Sequence, residues 1–135
     1  MAKTQKTVLI VEDSAVQAAS VGELLRSKGL QVIHALDGEN GLLMAQRYLP
    51  DVIVLDLELP GMDGLSACKY LKASPRTADI PVVILTQHAD QADQVVAEVG
   101  SGAAEFIPKD SIADKVLLET LAQLGILPGA GSAKQ

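Results

Sequence analysis

Aromatic side chains are nearly missing from this sequence: one Phe, two Tyr and no Trp, 2% of the residues. That argues against modules that bind nucleic acid by stacking bases on rings, and against carbohydrate platforms built the same way. Cysteine is scarcer still. The single Cys68 excludes an internal disulfide and a multi-cysteine metal site, and its helical surroundings make a small core residue the default role. Positive charge is in deficit too. Eleven Lys and Arg against 17 Asp and Glu leave a formal net charge of −6, which repels phosphate backbones and anionic membranes. No apolar run reaches spanning length, and "MAKTQK" leads into a strand rather than a signal-peptide core. A soluble, cytoplasmic protein is expected, with no direct nucleic-acid or membrane partner.

Apolar residues are what the chain does have: 48% of 135, enough for one core of ordinary domain size. Strand-like and helix-like patterns alternate. "TVLIV" reads as a buried strand, followed over residues 14–28 by a helix with Ala18, Val21, Leu24 and Leu25 inward and Gly29 closing it. "LQVIHA" is a second strand. Residues 37–49 then form a helix with Leu42, Ala45 and Leu49 on one face, ended by Pro50. "VIVLD" is the third strand, and a shorter helix from Gly64 to Ser74 carries Leu65, Cys68 and Leu71. "IPVVILT", a helix over 90–99 with Val96 and Val99 inward, and the short strand "AEFIP" follow. The last helix, 111–125, has Leu117, Leu121 and Leu124 as its stripe, with Ser111 and Asp114 at capping-box spacing. Five βα units in regular alternation imply a parallel sheet covered on both faces by right-handed crossovers. Residues 1–127 are expected to form one domain, and the small, polar stretch 128–135 a flexible tail.

In such a sheet, ligands bind beyond the carboxyl ends of the strands. Glu12 and Asp13 follow the first strand, Asp56 ends the third with Glu58 two residues on, Thr86, Gln87 and His88 end the fourth, and Lys109 follows the fifth. Each has a plain explanation alone. Asp13 or Ser14 caps a helix, "LPGMDG" is turn chemistry, and His34 at the end of the second strand is structural or solvated. Their coincidence on one rim is not covered by those explanations. Clustered carboxylates repel one another unless a cation joins them, and Mg²⁺ takes oxygen ligands from carboxylates, water and phosphate. A lysine beside them neutralises a phosphoryl oxygen as a point charge, and a threonine donates to another. Asp56, fixed by a central strand, best suits the nucleophile of aspartyl-phosphate chemistry.

The motifs "VLIVEDS", "DVIVLDLELPGMDG", "VVILT" and "GSGAAEFIPK", in that order and spacing, resemble the receiver domain of bacterial two-component response regulators, including the stand-alone chemotaxis type. The resemblance implies a flavodoxin-like α/β fold, with a doubly wound five-stranded sheet in order 2-1-3-4-5. It implies phosphorelay signalling, with Asp56 as phospho-acceptor. By the same resemblance, Mg²⁺ is expected to be held by Glu12, Asp13, Asp56 and the backbone carbonyl of Glu58. Lys109 becomes the phosphate partner, with Thr86 and Phe106 as switch residues. It further implies a histidine kinase or histidine phosphotransfer protein as donor. Output passes through the helix at 90–99, the fifth strand and the last helix to a protein target. The chain is then a switch catalysing only its own phosphorylation and dephosphorylation, not an enzyme acting on other substrates.

Three departures stand out. Asp110 replaces the usual proline after the lysine, so the preceding peptide bond is expected to be trans. Gln87 replaces a small residue after the threonine and, with His88, modulates access to the site. Phe106 lacks the hydroxyl of the commoner tyrosine. The alternative is a receiver-like interaction module that works without phosphate. A flavin carrier lacks its rings and phosphate loop here, and Asp56-Leu57-Glu58 fits an aspartyl-phosphate hydrolase poorly. Kinase, target and homodimerisation stay open.

Overall fold

Runs of four consecutive apolar residues form most of the strands β1 (Thr7–Val11), β3 (Val52–Asp56) and β4 (Val82–Thr86), while the more polar segments β2 (Gln31–Ala35) and β5 (Ala104–Pro108) lie at the two edges of the sheet. The computed structural model describes residues 5–62, 64–87 and 104–127. All strand pairings are parallel, in the order β2-β1-β3-β4-β5. Every residue of β3 and β4 is buried, which explains why their sequences show no polar alternation. Among the described residues the helices are α1 (Ala15–Ser27), α2 (Gly38–Tyr48), α3 (Gly64–Ala73) and α4 (Ala113–Gln123).

Successive strand side chains point to opposite faces, so the sheet builds two cores. On one face Leu9, Val11, Ile53, Leu55 and Ile84 meet Ala45 of α2 and Cys68 and Leu71 of α3. On the other, Val8, Ile10, Val54, Val83 and Leu85 meet Ala18 and Leu25 of α1 and Leu117 and Leu121 of α4. This is the doubly wound, flavodoxin-like arrangement that the resemblance implies, with helices on both faces as the alternation requires.

Helix ends follow local chemistry. Ser14 caps α1, its Oγ accepting from the Gln17 N–H at 3.2 Å. Gly29, at φ 88°, closes the helix with its own N–H on Arg26 O (2.9 Å) and that of Leu30 on Leu25 O (3.2 Å).

Three expectations need correction. Leu49 is not inward: it is the left-handed C-cap of α2, 48% exposed, because Pro50 disfavours helical backbone in the residue before it. The capping box of the last helix does not form. Asp110 Oδ1 accepts from the Ile112 N–H (3.1 Å), and α4 starts at Ala113 with no side-chain cap. Leu124 lies beyond α4 and is exposed, while Ile126 returns to the core, its N–H on Leu121 O at 2.9 Å. The helix expected over 90–99, His88 and the tail 128–135 lie outside the described residues. Among the described residues, no helix is long and apolar enough to cross a membrane.

Candidate functional site

The register of the sheet decides which side chains meet. Val11 pairs with Leu55, which sets Glu12 beside Asp56, the last residue of β3. Asp56 pairs with Leu85 and Thr86 with Pro108, so Thr86 and Lys109 follow along the same edge. The Lys109 N–H donates to Thr86 O at 2.8 Å, and the Leu57 N–H to Leu85 O at 3.0 Å, carrying the pairing past the strand ends. Gly64 is required here by close approach. A Cβ on it would press into the Asp56 carbonyl and the Leu57 Cα, so only glycine lets α3 begin against the end of β3.

Glu12, Asp13 and Asp56 bring one carboxylate oxygen each within 4.8 Å of one another. Glu12 and Asp56 are buried, at 6% and 5% exposure, whereas Asp13 is exposed. Lys109 Nζ lies 3.2 Å from Asp56 Oδ1 and 3.4 Å from Glu12 Oε1. The Glu58 N–H donates to Asp56 Oδ1 at 3.1 Å, fixing that carboxylate from its own turn. Thr86, buried to 1% exposure, points its hydroxyl at Glu58 Oε2, 3.2 Å away. Phe106 is half-buried on the α2–α3 face of the sheet, level with Ile84, and Gln87 is exposed at the end of β4.

The cluster is short of positive charge, with one ammonium against three carboxylates. Burial pushes the Glu12 carboxyl above its usual range; the N–H of Ser14 opposes this, the charge of Asp56 adds to it, and Lys109 opposes it. Such a donor set is chemically suited to a hard divalent cation. Among the described residues the clustered donors are all carboxylate oxygens, a set that suits Mg²⁺ better than zinc or a softer metal.

The structure brings together Glu12, Asp13, Asp56, Glu58, Thr86 and Lys109, as the strand-end positions require. The Lys109–Asp110 bond is trans. His34, expected to be structural or solvated, is partly buried with its Nε2 2.7 Å from the backbone carbonyl of Glu12. Sequence reasoning missed Gln17. From the first turn of α1, its Oε1 accepts from Lys109 Nζ at 3.1 Å.

Comparison with known proteins places this geometry in context. The family model described as "Response regulator receiver domain" matches residues 8–122. Response regulator PleD of Caulobacter vibrioides is 38% identical over 102 residues, covering 76% of this chain but only 22% of PleD. Protein PilH of Pseudomonas aeruginosa is 32% identical over 114 residues, covering 84% of this chain and 93% of PilH. Other relatives carry the names of DNA-binding regulators, of which the chain spans under half the length. Among solved structures, the receiver domain of sensor histidine kinase PA1611 from P. aeruginosa superposes with a TM-score of 0.79 at 28% identity. The match covers 90% of this chain and 99% of that one, whose description records a magnesium ion coordinated in the active-site cleft.

Proposed function

The chain belongs to the response regulator receiver domain family, and from that premise we propose that Asp56 accepts a phosphoryl group. The donor is a histidine kinase or histidine phosphotransfer protein. The resulting charge switches a surface that controls a protein partner in the cytoplasm. The observation that carries this reading is the Asp56 carboxylate held 3.2 Å from Lys109 Nζ within a three-carboxylate cluster.

An Asp56 oxygen forms the new bond to phosphorus while the bond from phosphorus to the imidazole nitrogen breaks. The nitrogen keeps that electron pair, and Asp56 becomes an acyl phosphate. Lys109 offsets the added charge, about −1.5 to −2 by analogy with other phosphorylated side chains. Glu12, Asp13, Asp56 and the carbonyl of Glu58 would hold Mg²⁺. When bound, the ion neutralises phosphoryl oxygens and the carboxylates around them. Thr86 leaves Glu58 and donates to a phosphoryl oxygen, and Phe106 fills the space vacated. Those two moves alter the surface of β5 and α4. Charge-assisted bonds at one phosphate supply the several kcal/mol a population switch requires. Gln87, at the rim, slows access of donor and water. The chain's chemistry is confined to its own phosphorylation and dephosphorylation.

Intact mass after incubation with Mg²⁺ and phosphoramidate tests this. The wild-type chain gains one phosphoryl group; Asp56→Asn keeps its fold and gains none. Persistent labelling of Asp56→Asn contradicts the assignment. A wild-type chain that stays unlabelled is instead an interaction module working without phosphate.

A further inference from the structure

An ammonium has three N–H donors, and that of Lys109 finds three side-chain acceptors among the described residues. Two are the carboxylates of Asp56 (3.2 Å) and Glu12 (3.4 Å); the third, at 3.1 Å, is the neutral amide of Gln17. We propose that Gln17 is a positioning residue for phosphoryl transfer. It holds the Lys109 ammonium at the mouth of the site while the two carboxylates change partners. This deepens the proposed function and rests on it.

The three acceptors differ in what happens to them during the reaction. Asp56 gives up carboxylate character when it becomes an acyl phosphate, and Glu12 is expected to turn toward the divalent ion. Both weaken as anchors for the lysine when the lysine is most needed. Gln17 keeps its acceptor in every state, because an amide neither titrates nor takes part in the transfer. Its backbone is fixed by the cap of α1, where its own N–H donates to Ser14 Oγ. Lys109 is a long side chain following the edge strand β5, and without a fixed partner it samples many rotamers. The choice of an amide over a carboxylate also matters. A fourth acid would hold the ammonium more strongly but would repel an anionic donor from a cluster already rich in negative charge.

The test is the rate of phosphorylation by phosphoramidate at saturating Mg²⁺, followed by intact mass, for wild type, Gln17→Ala, Gln17→Met and Gln17→Glu. Mg²⁺ affinity is measured in parallel from the thermal shift. Loss of one hydrogen bond to a charged group predicts that Ala and Met lower the maximal rate about tenfold with unchanged Mg²⁺ affinity. Met keeps the length and helix propensity of Gln, so a loss shared by both variants is not a folding defect. Glu restores the anchor: its rate approaches wild type at high ionic strength and falls at low, where its charge is unscreened. Ala and Met rates within about twofold of wild type overturn the proposal, as does a Glu variant no faster than Ala at any salt. A wild-type chain that takes up no phosphoryl group overturns the parent function as well. A labelled wild type with indifferent variants overturns only the role of Gln17.

Discussion

Glu12 is a buried acid whose charge is disfavoured by its surroundings, with Asp56 beside it and a single lysine shared between them. In the metal-free chain this is a cost to stability, one that a bound cation would offset. Glu12→Gln keeps the shape and an acceptor for the Ser14 N–H while removing one negative charge. It should therefore stabilise the metal-free chain by about 1 kcal/mol, a few degrees in melting temperature for a domain of this size. Excess Mg²⁺ should raise the wild-type midpoint and cancel the difference. Melting curves followed by circular dichroism, in chelator and in Mg²⁺, check both parts. A variant less stable than wild type in chelator contradicts them. Glu12, Asp13, Asp56 and Lys109 were legible in sequence because each sits at a strand end, where topology alone fixes its neighbourhood. Gln17 was not. Its contact depends on its angular position around α1 and on one rotamer, and in sequence it reads as an exposed residue in the first turn of a helix.

At the scale of elements, α3 shows how packing sets chemistry. It starts at Gly64 against the Asp56 carbonyl and buries Cys68 completely. Burial pushes the Cys68 thiol above its ordinary value of 9.0, opposed by nearby Lys72. A thiol whose folded value is raised adds stability that is fully present below 9.0 and is lost as pH rises beyond it. The stability advantage of wild type over Cys68→Ala should accordingly shrink when the pH is taken above 9.0. Urea unfolding at neutral and alkaline pH measures that gap, and a gap that widens contradicts the assignment. In the native chain Cys68 should also resist thiol reagents until the chain opens. The strands β1, β3 and β4 were readable from apolar runs, and β5 matches "AEFIP" residue for residue. Helix ends were less readable. Leu49 kept the helical spacing of Leu42 and Ala45, but Pro50 governs its backbone. Ser111 and Asp114 had the spacing of a capping box, yet Asp110 forms a turn, its carboxylate on the Ile112 N–H and its carbonyl on the Ala113 N–H, and the helix starts only after it. Both are competitions between neighbours, which spacing alone does not resolve.

For the whole molecule, alternation of strands and helices was enough to fix a parallel sheet with two covered faces. The order of the strands came from the resemblance, since periodicity says nothing about which strand lies beside which. That order is what matters for function. With β1, β4 and β5 arranged about β3, residues 12, 56, 86 and 109 share one edge although they are scattered along the chain. With a net charge of −6 on the chain, the proposed transfer from an anionic donor would rely on local positive charge, from Lys109 and a bound cation, rather than on the field of the whole molecule. The central claim is that Asp56 is the residue that carries the phosphoryl group. The most direct measurement is borohydride reduction of the chain after phosphorylation in Mg²⁺, followed by peptide mapping, because reduction converts an aspartyl acyl phosphate to homoserine. Homoserine at position 56 and nowhere else is the result expected. Homoserine at another aspartate, or phosphate that survives on a different side chain with position 56 unchanged, would contradict it.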